Sequence, residues 1–174
     1  MRDAAAFRAL IRDVPDFPKP GILFKDITPL LGDAAAFAGT IEAMAQPWVS
    51  ERVTHVAAIE SRGFIVGGPI AVLLAVGIVP LRKPGKLPGR CVREDYGLEY
   101  GSDALEIQAD ALPRGSRVLV VDDVLATGGT AAAACRLIDR IGASVVGCAF
   151  VIALDALNGR SRLDGRRVDA LLHY

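Results

Sequence analysis

Cysteine is scarce in this chain. Its 174 residues include three, Cys91, Cys135 and Cys148, an odd number with no Cys-x-x-Cys spacing. That argues against a disulfide framework or a cysteine-built zinc site and for a reducing, cytoplasmic compartment. Cys135 and Cys148 stand in apolar surroundings and are expected to fill core. Net charge is lacking too, because 20 Lys and Arg balance 20 Asp and Glu. No nucleic-acid or membrane partner held by overall charge is therefore expected. The start, Met1-Arg2-Asp3-Ala4, lacks the apolar core of a targeting segment. No Gly-Lys-Ser/Thr closes a Walker A loop, and no Gly-x-Gly-x-x-Gly follows a strand. One uncharged stretch, Phe64 to Leu81, is long enough to span a membrane. Gly67-Gly68-Pro69 and Gly77-Ile78-Val79-Pro80 interrupt it. It reads instead as a buried helix, Ile65 to Val76, followed by an inner strand, Gly77 to Leu81. Without repeats or low-complexity linkers, residues 1–174 read as a single domain.

What is present is an alternation of strands and helices. Ala4 to Arg12 reads as a helix, with Phe7, Leu10 and Ile11 on one side. Val14 to Gly21 is rich in proline and turn residues and cannot be helix. Asp33 can cap a helix running towards Met44. Val53 to Ile59, Ile78 to Leu81, Val118 to Val121 and Val145 to Leu154 read as strands, with Val168 to Leu172 as an edge strand. Arg82 to Asp103 is long, charged and rich in glycine. Tyr96-Gly97 and Tyr100-Gly101 suggest hairpin turns there, before an extended arm from Ala104 to Ala109. The order implies an α/β fold: a mostly parallel central sheet flanked by helices on both faces.

One segment carries the chemistry. Val118 to Val121 is an aliphatic run, as expected of a strand buried on both faces. Asp122 and Asp123 follow at its C-terminal end, where open α/β sheets bind ligands. Ala126-Thr127-Gly128-Gly129-Thr130 then forms a small turn opening a helix, Ala131 to Ile138. Such a turn offers backbone N–H groups, hydroxyls and a positive dipole end to an anion. Carboxylates beside a phosphate cradle suit a sugar phosphate.

This run resembles the 5-phosphoribosyl 1-pyrophosphate binding motif of type I phosphoribosyltransferases. Four further segments resemble the adenine branch of that family and occur in its order. Phe17 to Leu31 resembles an N-terminal hood over the base. Glu60-Ser61-Arg62-Gly63-Phe64 resembles the pyrophosphate loop, which the family often holds in a cis peptide at the position of Glu60-Ser61. Arg82 to Pro88 resembles a second pyrophosphate-facing loop, and Tyr96 to Gly101 a flexible lid loop with a catalytic glutamate. The likeness spans about residues 15–155, and the last twenty residues match poorly and carry no assignment.

The resemblance implies transfer of a 5-phosphoribosyl group to adenine, giving AMP and pyrophosphate. Asp122 and Asp123 would hold the ribose hydroxyls, and Ala126, Thr127, Gly128, Gly129 and Thr130 the 5-phosphate. Glu60, Ser61, Arg62, Arg82, Lys83 and Lys86 would serve the pyrophosphate. Leu23, Phe24, Lys25 and Val124 would receive the adenine, with Phe24 and Val124 on its two faces. Glu99 and Arg62 would be the catalytic pair, with Tyr100 in the lid. Mg²⁺ would bind mainly through the substrate, without dedicated metal ligands, and the chain would form a homodimer. Two positions depart from the family: Lys25 stands where arginine is usual, and Val124 where leucine is usual. A 6-oxopurine acceptor and a non-catalytic sensor of the sugar pyrophosphate stay open as alternatives. His55 and His173 lack a partner motif and are expected to be structural.

Overall fold

The computed structural model describes residues 4–97 and 102–174. The chain divides into two compact units, Met1–Ala43 and Met44–Tyr174. The first contains α1 (Ala4–Arg8), β1 (Arg12–Pro15), β2 (Leu23–Asp26), α2 (Thr28–Gly32) and most of α3 (Ala34–Ala45). β1 and β2 form an antiparallel ribbon in which Asp13 faces Lys25 and Arg12 faces Asp26. Both pairs are ion pairs, each at 2.6 Å. Phe17 meets Phe24 edge-on, with centroids 5.1 Å apart. The expected first helix is shorter than the sequence implied: it ends at Arg8, and Arg12 already belongs to β1. The cross-strand charges outweigh the helical periodicity of Leu10 and Ile11. Asp33 does cap α3, accepting the Ala36 N–H at 2.7 Å.

The second unit holds β3 (His55–Ile59), α4 (Arg62–Leu73), β4 (Gly77–Leu81), β5 (Cys91–Gly97), β6 (Ser102–Gln108), β7 (Arg117–Leu125), α5 (Gly129–Arg140), β8 (Ser144–Ala153) and β9 (Val168–His173). Five strands make one sheet, ordered β4-β3-β7-β8-β9, and every pairing in it is parallel. β9 is an edge strand, as expected. From β3 the chain steps outward to β4, and from β7 it steps the opposite way to β8. Right-handed crossovers in opposite directions place α4 and α5 on opposite faces.

Side-chain alternation bears this out. Ala57, Ile59, Val118, Val120, Cys148 and Phe150 share one core with Ala133, Leu137 and Ile138 of α5. Val56 and Ala58 point the other way, onto Gly67 of α4, where a Cβ would come within 2.7 Å of the Ala58 Cβ. Only glycine lets α4 lie this close to the sheet. Trp48 makes the same demand on β8, since its ring would lie 2.3 Å from a Cβ on Gly147. Cys135 and Cys148 are free and buried in the core, as expected.

The run from Phe64 to Leu81 is α4, a loop and β4, and no helix among the described residues is long and apolar enough to cross a membrane. β5 and β6 pair antiparallel from Cys91↔Gln108 to Gly97↔Ser102. Tyr96-Gly97 is therefore strand rather than turn, a correction to the sequence reading. Tyr96 is buried, and its hydroxyl lies 3.2 Å from Asp103 of the opposite strand. Tyr100-Gly101 lies outside the described residues.

Candidate active site

The sheet's strand order reverses between β3 and β7, and open α/β sheets bind ligands outside the strand ends at such a point. β3 delivers Glu60, Ser61 and Arg62 there, and β7 delivers Asp122 and Asp123. Both carboxylates are inside β7, which continues to Leu125; Asp122 pairs with Phe150 of β8 in register. The helix after them begins at Gly129, earlier than its alanine run suggests. A cavity of about 70 Å³ is lined by Asp122 and residues 124–131. Asp122 and the turn expected to cradle a phosphate thus line one small cavity.

The cradle depends on glycine twice. Gly128 has φ +80°, a conformation L side chains rarely adopt. A Cβ on it would also fall 2.2 Å from the carbonyl oxygen of Gly159. Conversely, a Cβ on Gly159 would fall 2.1 Å from the carbonyl oxygen of Ala126. The loop is thus backed by a segment to which the sequence reading assigned no role. The Asn158-Gly159 pair, a common turn signal, was the available hint.

The carboxylates differ in electrostatics. Asp123 is 5 % exposed and takes a charge-assisted hydrogen bond from Arg62 Nε. Asp122 accepts the Asp123 N–H at 2.9 Å. Burial of its carboxyl, reinforced by the charge of Asp123, pushes the Asp122 pKa well above 3.8. Gly63 closes the gap between the elements: a Cβ there would lie 2.9 Å from the Val121 carbonyl oxygen and 3.0 Å from Asp122 Oδ1.

The Glu60–Ser61 peptide is cis, as the resemblance implied. The Glu60 side chain faces the cations. It accepts from Lys86 Nζ, from the Lys83 N–H at 3.0 Å and from Arg82 Nε at 3.2 Å. Burial raises its pKa, but these donors, led by Lys86, outweigh burial and hold it below the ordinary carboxylate value. Lys83 Nζ is held by Asp103 and by the Tyr96 hydroxyl at 2.8 Å. Burial lowers the Lys83 pKa, and the bonds to Asp103 and Tyr96 reverse that to a net rise. The sequence reading found these cations but missed Asp103 and the side-chain role of Glu60. Arg82 also bridges to β6 through its backbone, bonding Glu106 in both directions. The 82–86 loop is therefore tied to both the switch point and the hairpin.

Leu23, Phe24 and Lys25 lie on β2 in the first unit, and Val124 on β7 in the second. Lys25 Nζ is held by Asp13 at 2.6 Å. Glu99 and Tyr100 lie outside the described residues. His55 sits beside Gly77 and His173 beside Asp155, and neither lines the cavity at the switch point. No cluster of three or more His, Cys, Asp or Glu fit to hold a metal occurs among the described residues.

A parallel sheet with acidic groups and a glycine-rich turn at its switch point is the arrangement of an α/β protein that binds a phosphorylated ligand there. Residues 31–169 match the phosphoribosyl transferase domain. The chain is 61% identical over 167 residues to the adenine phosphoribosyltransferase of Methylococcus capsulatus, covering 96% of this chain and 98% of that one. Its fold matches the crystal structure of adenine phosphoribosyltransferase from Rhodothermus marinus with TM-score 0.94 at 50% identity, covering 98% of each chain. It also matches the Saccharomyces cerevisiae adenine phosphoribosyltransferase with TM-score 0.91 at 41% identity, covering 97% of each chain. That crystal structure holds adenine and D-2,5-dideoxy-2,5-imino-altritol 1,6-bisphosphate. The chain belongs to the phosphoribosyl transferase family, in its adenine phosphoribosyltransferase branch.

Proposed function

We propose that this chain, working as a single catalytic domain, transfers the 5-phosphoribosyl group of 5-phosphoribosyl 1-pyrophosphate to N9 of adenine, releasing pyrophosphate and forming AMP in purine salvage. The observation that carries the residue assignments is the shared cavity: Asp122 and residues 124–131 line one space at the switch point.

In the reaction the bond from the anomeric carbon to the pyrophosphate oxygen breaks, and a bond to adenine N9 forms. The ribose passes through a state with oxocarbenium character. Asp122 and Asp123 accept hydrogen bonds from the ribose hydroxyls and favour positive charge on the ring. Ala126 to Thr130 hold the 5-phosphate through N–H and hydroxyl donors. Ser61, Arg62, Arg82, Lys83 and Lys86 face the leaving pyrophosphate, whose growing charge they stabilise. In this reading Glu60 acts indirectly, holding Arg82 and Lys86 in place. Leu23, Phe24, Lys25 and Val124 receive the base, and Glu99 takes the proton released at the purine imidazole edge.

Mg²⁺ fits the donor chemistry only as a passenger. The strand end offers two carboxylates, and Asp123 is already engaged by Arg62, which is too few ligands for a protein-built site. Carried by the pyrophosphate, the ion supplies charge neutralisation of the leaving group. A cytoplasmic homodimer completes the reading. Ile65, Val72 and Leu73 of α4 and Ile78 of β4 are exposed, and this apolar face suits burial against a second copy.

The test is turnover of the sugar pyrophosphate and Mg²⁺ with adenine, hypoxanthine, guanine and xanthine in parallel. Adenine is expected to give the highest kcat/KM. A site hydrogen-bonded to a 6-amino group discriminates against a 6-oxo group by up to about 10⁴-fold. Equal use of hypoxanthine refutes the base assignment.

A further inference from the structure

The segment Asn158–Leu163 carries no role in the reading above, yet it forms the back of the phosphate cradle. Gly159 and Gly128 stand against each other with no room for a Cβ on either. Asn158 enters the segment at φ +50°. Its carbonyl accepts the Ser161 N–H at 3.1 Å and the Ser161 hydroxyl at 2.8 Å. Leu163 is fully buried in the α5 core. The chain is thus fixed on both sides of Arg162. Arg162 Nη1 lies 3.8 Å from the point where a Cβ on Gly129 would stand, beside the first turn of α5.

Two of the arginines that follow it are committed elsewhere. Arg166 pairs with Asp139 at 2.6 Å and Asp164 at 3.1 Å. Arg167 pairs with Glu51 at 2.7 Å and lies over the Trp48 ring. Arg162 makes no hydrogen bond or ion pair among the described residues. The cradle itself supplies only neutral donors, backbone N–H groups and two threonine hydroxyls, to a ligand that carries close to two negative charges. A guanidinium matches phosphate oxygens with a two-pronged fork.

We propose that Arg162 is a further substrate-binding residue, whose guanidinium pairs with the 5-phosphate of the sugar pyrophosphate at the N-terminus of α5, held there by the Gly128–Gly159 contact. This rests on the phosphoribosyl-transfer reading of the same cradle.

The experiment compares wild type with Arg162→Gln and Arg162→Lys. It measures kcat, both KM values, melting temperature, and titrations with ribose 5-phosphate and with pyrophosphate. Arg162→Gln is expected to raise the sugar pyrophosphate KM and the ribose 5-phosphate Kd on the order of 5- to 50-fold. The adenine KM, pyrophosphate affinity and melting temperature should hold, and Arg162→Lys should recover part of the loss, a split that a merely structural role would not produce. Unchanged ribose 5-phosphate affinity in Arg162→Gln overturns the proposal. So does a loss confined to pyrophosphate, which would put Arg162 at the other end of the substrate. Should Arg162→Gln fold poorly, Arg162→Met is read by the same criteria. If wild type fails to use adenine, the base assignment falls, while the ribose 5-phosphate titration still decides Arg162.

Discussion

The adjacent carboxylates of β7 should respond in different ways to loss of charge. Asp123 has a guanidinium partner in Arg62. Asp122 has no ion pair among the described residues; its carboxyl accepts a backbone N–H and sits beside a second negative charge. Asp122→Asn keeps the shape and the acceptor oxygen but removes a charge that burial disfavours. Relief of such a charge is worth about 1–3 kcal/mol. In a chain of this size, 1 kcal/mol moves Tm by about 2–4 °C, so Tm at pH 7 should rise by roughly 2–12 °C. Asp123→Asn relieves the same repulsion but gives up the bond to Arg62. That partner is 44% exposed, so solvent screening limits the loss to about 1 kcal/mol. Asp123→Asn should therefore melt below Asp122→Asn.

The sign of the pH dependence follows from the raised folded pKa. Between 3.8, the ordinary value, and the raised value, folded Asp122 holds a proton that the unfolded chain has released. Wild-type stability therefore falls through that window as pH rises. The advantage of Asp122→Asn should be near zero at the acid end and full above the raised pKa. Both variants should lose sugar pyrophosphate affinity, each by about 1.5–3 kcal/mol for a charge-assisted bond to a ribose hydroxyl, or 10- to 150-fold. Scanning calorimetry across pH and calorimetric titration with the Mg²⁺ complex measure the two effects. An Asp122→Asn protein that melts below wild type at pH 7 would show that its charge is stabilised in the fold, and the argument fails. A substrate affinity unchanged in both variants would remove the ribose role.

The core of the site was legible because its chemistry is local. An aliphatic run, two aspartates and a threonine-glycine turn follow one another in β7 and α5, so their order in the chain is their order in space. The hairpin was less legible. Arg93, Glu94 and Asp95 read as loop, yet they lie in β5, where Arg136 and Arg140 of α5 hold Glu94 at 2.6 and 2.7 Å. A charged strand is hidden when the partners that justify its charges stand some forty residues away. The cations of the 82–86 loop were visible for the same reason that the side-chain partners of Glu60 were not. Residue type reveals a positive loop, but only the fold brings a buried carboxylate to its root. Gly159 could be read only as a turn residue beside Asn158, because its demand arises from contact with Ala126 and Gly128 and leaves no periodicity in its own segment.

Two more outcomes test the site. Gly63→Ala would set a methyl 2.9 Å from the Val121 carbonyl oxygen and 3.0 Å from Asp122 Oδ1. Backbone cannot yield as a side-chain tip does, so α4 should shift at its first turn and carry Arg62 with it. kcat/KM for the sugar pyrophosphate should fall at least about tenfold, since small misplacements of positioning groups are costly; wild-type kinetics would show that the helix start is not held by this contact. The last concerns Glu99, which follows Gly97 at the end of β5. The Gly97 carbonyl oxygen lies 3.4 Å from the Cβ position of Gly129, so the root of Glu99's segment is beside the phosphate cradle. Glu99→Gln keeps size and hydrogen-bonding capacity but cannot take up the proton. Single-turnover rates should therefore drop about 10²–10⁴-fold, while sugar pyrophosphate affinity, which the proposed reading assigns to Arg62, Arg82 and residues 122–130, should stay within about twofold. A variant that keeps its rate but loses affinity would move Glu99 from proton transfer to substrate holding. One that keeps both would leave the proton released at the purine without a protein acceptor at this position.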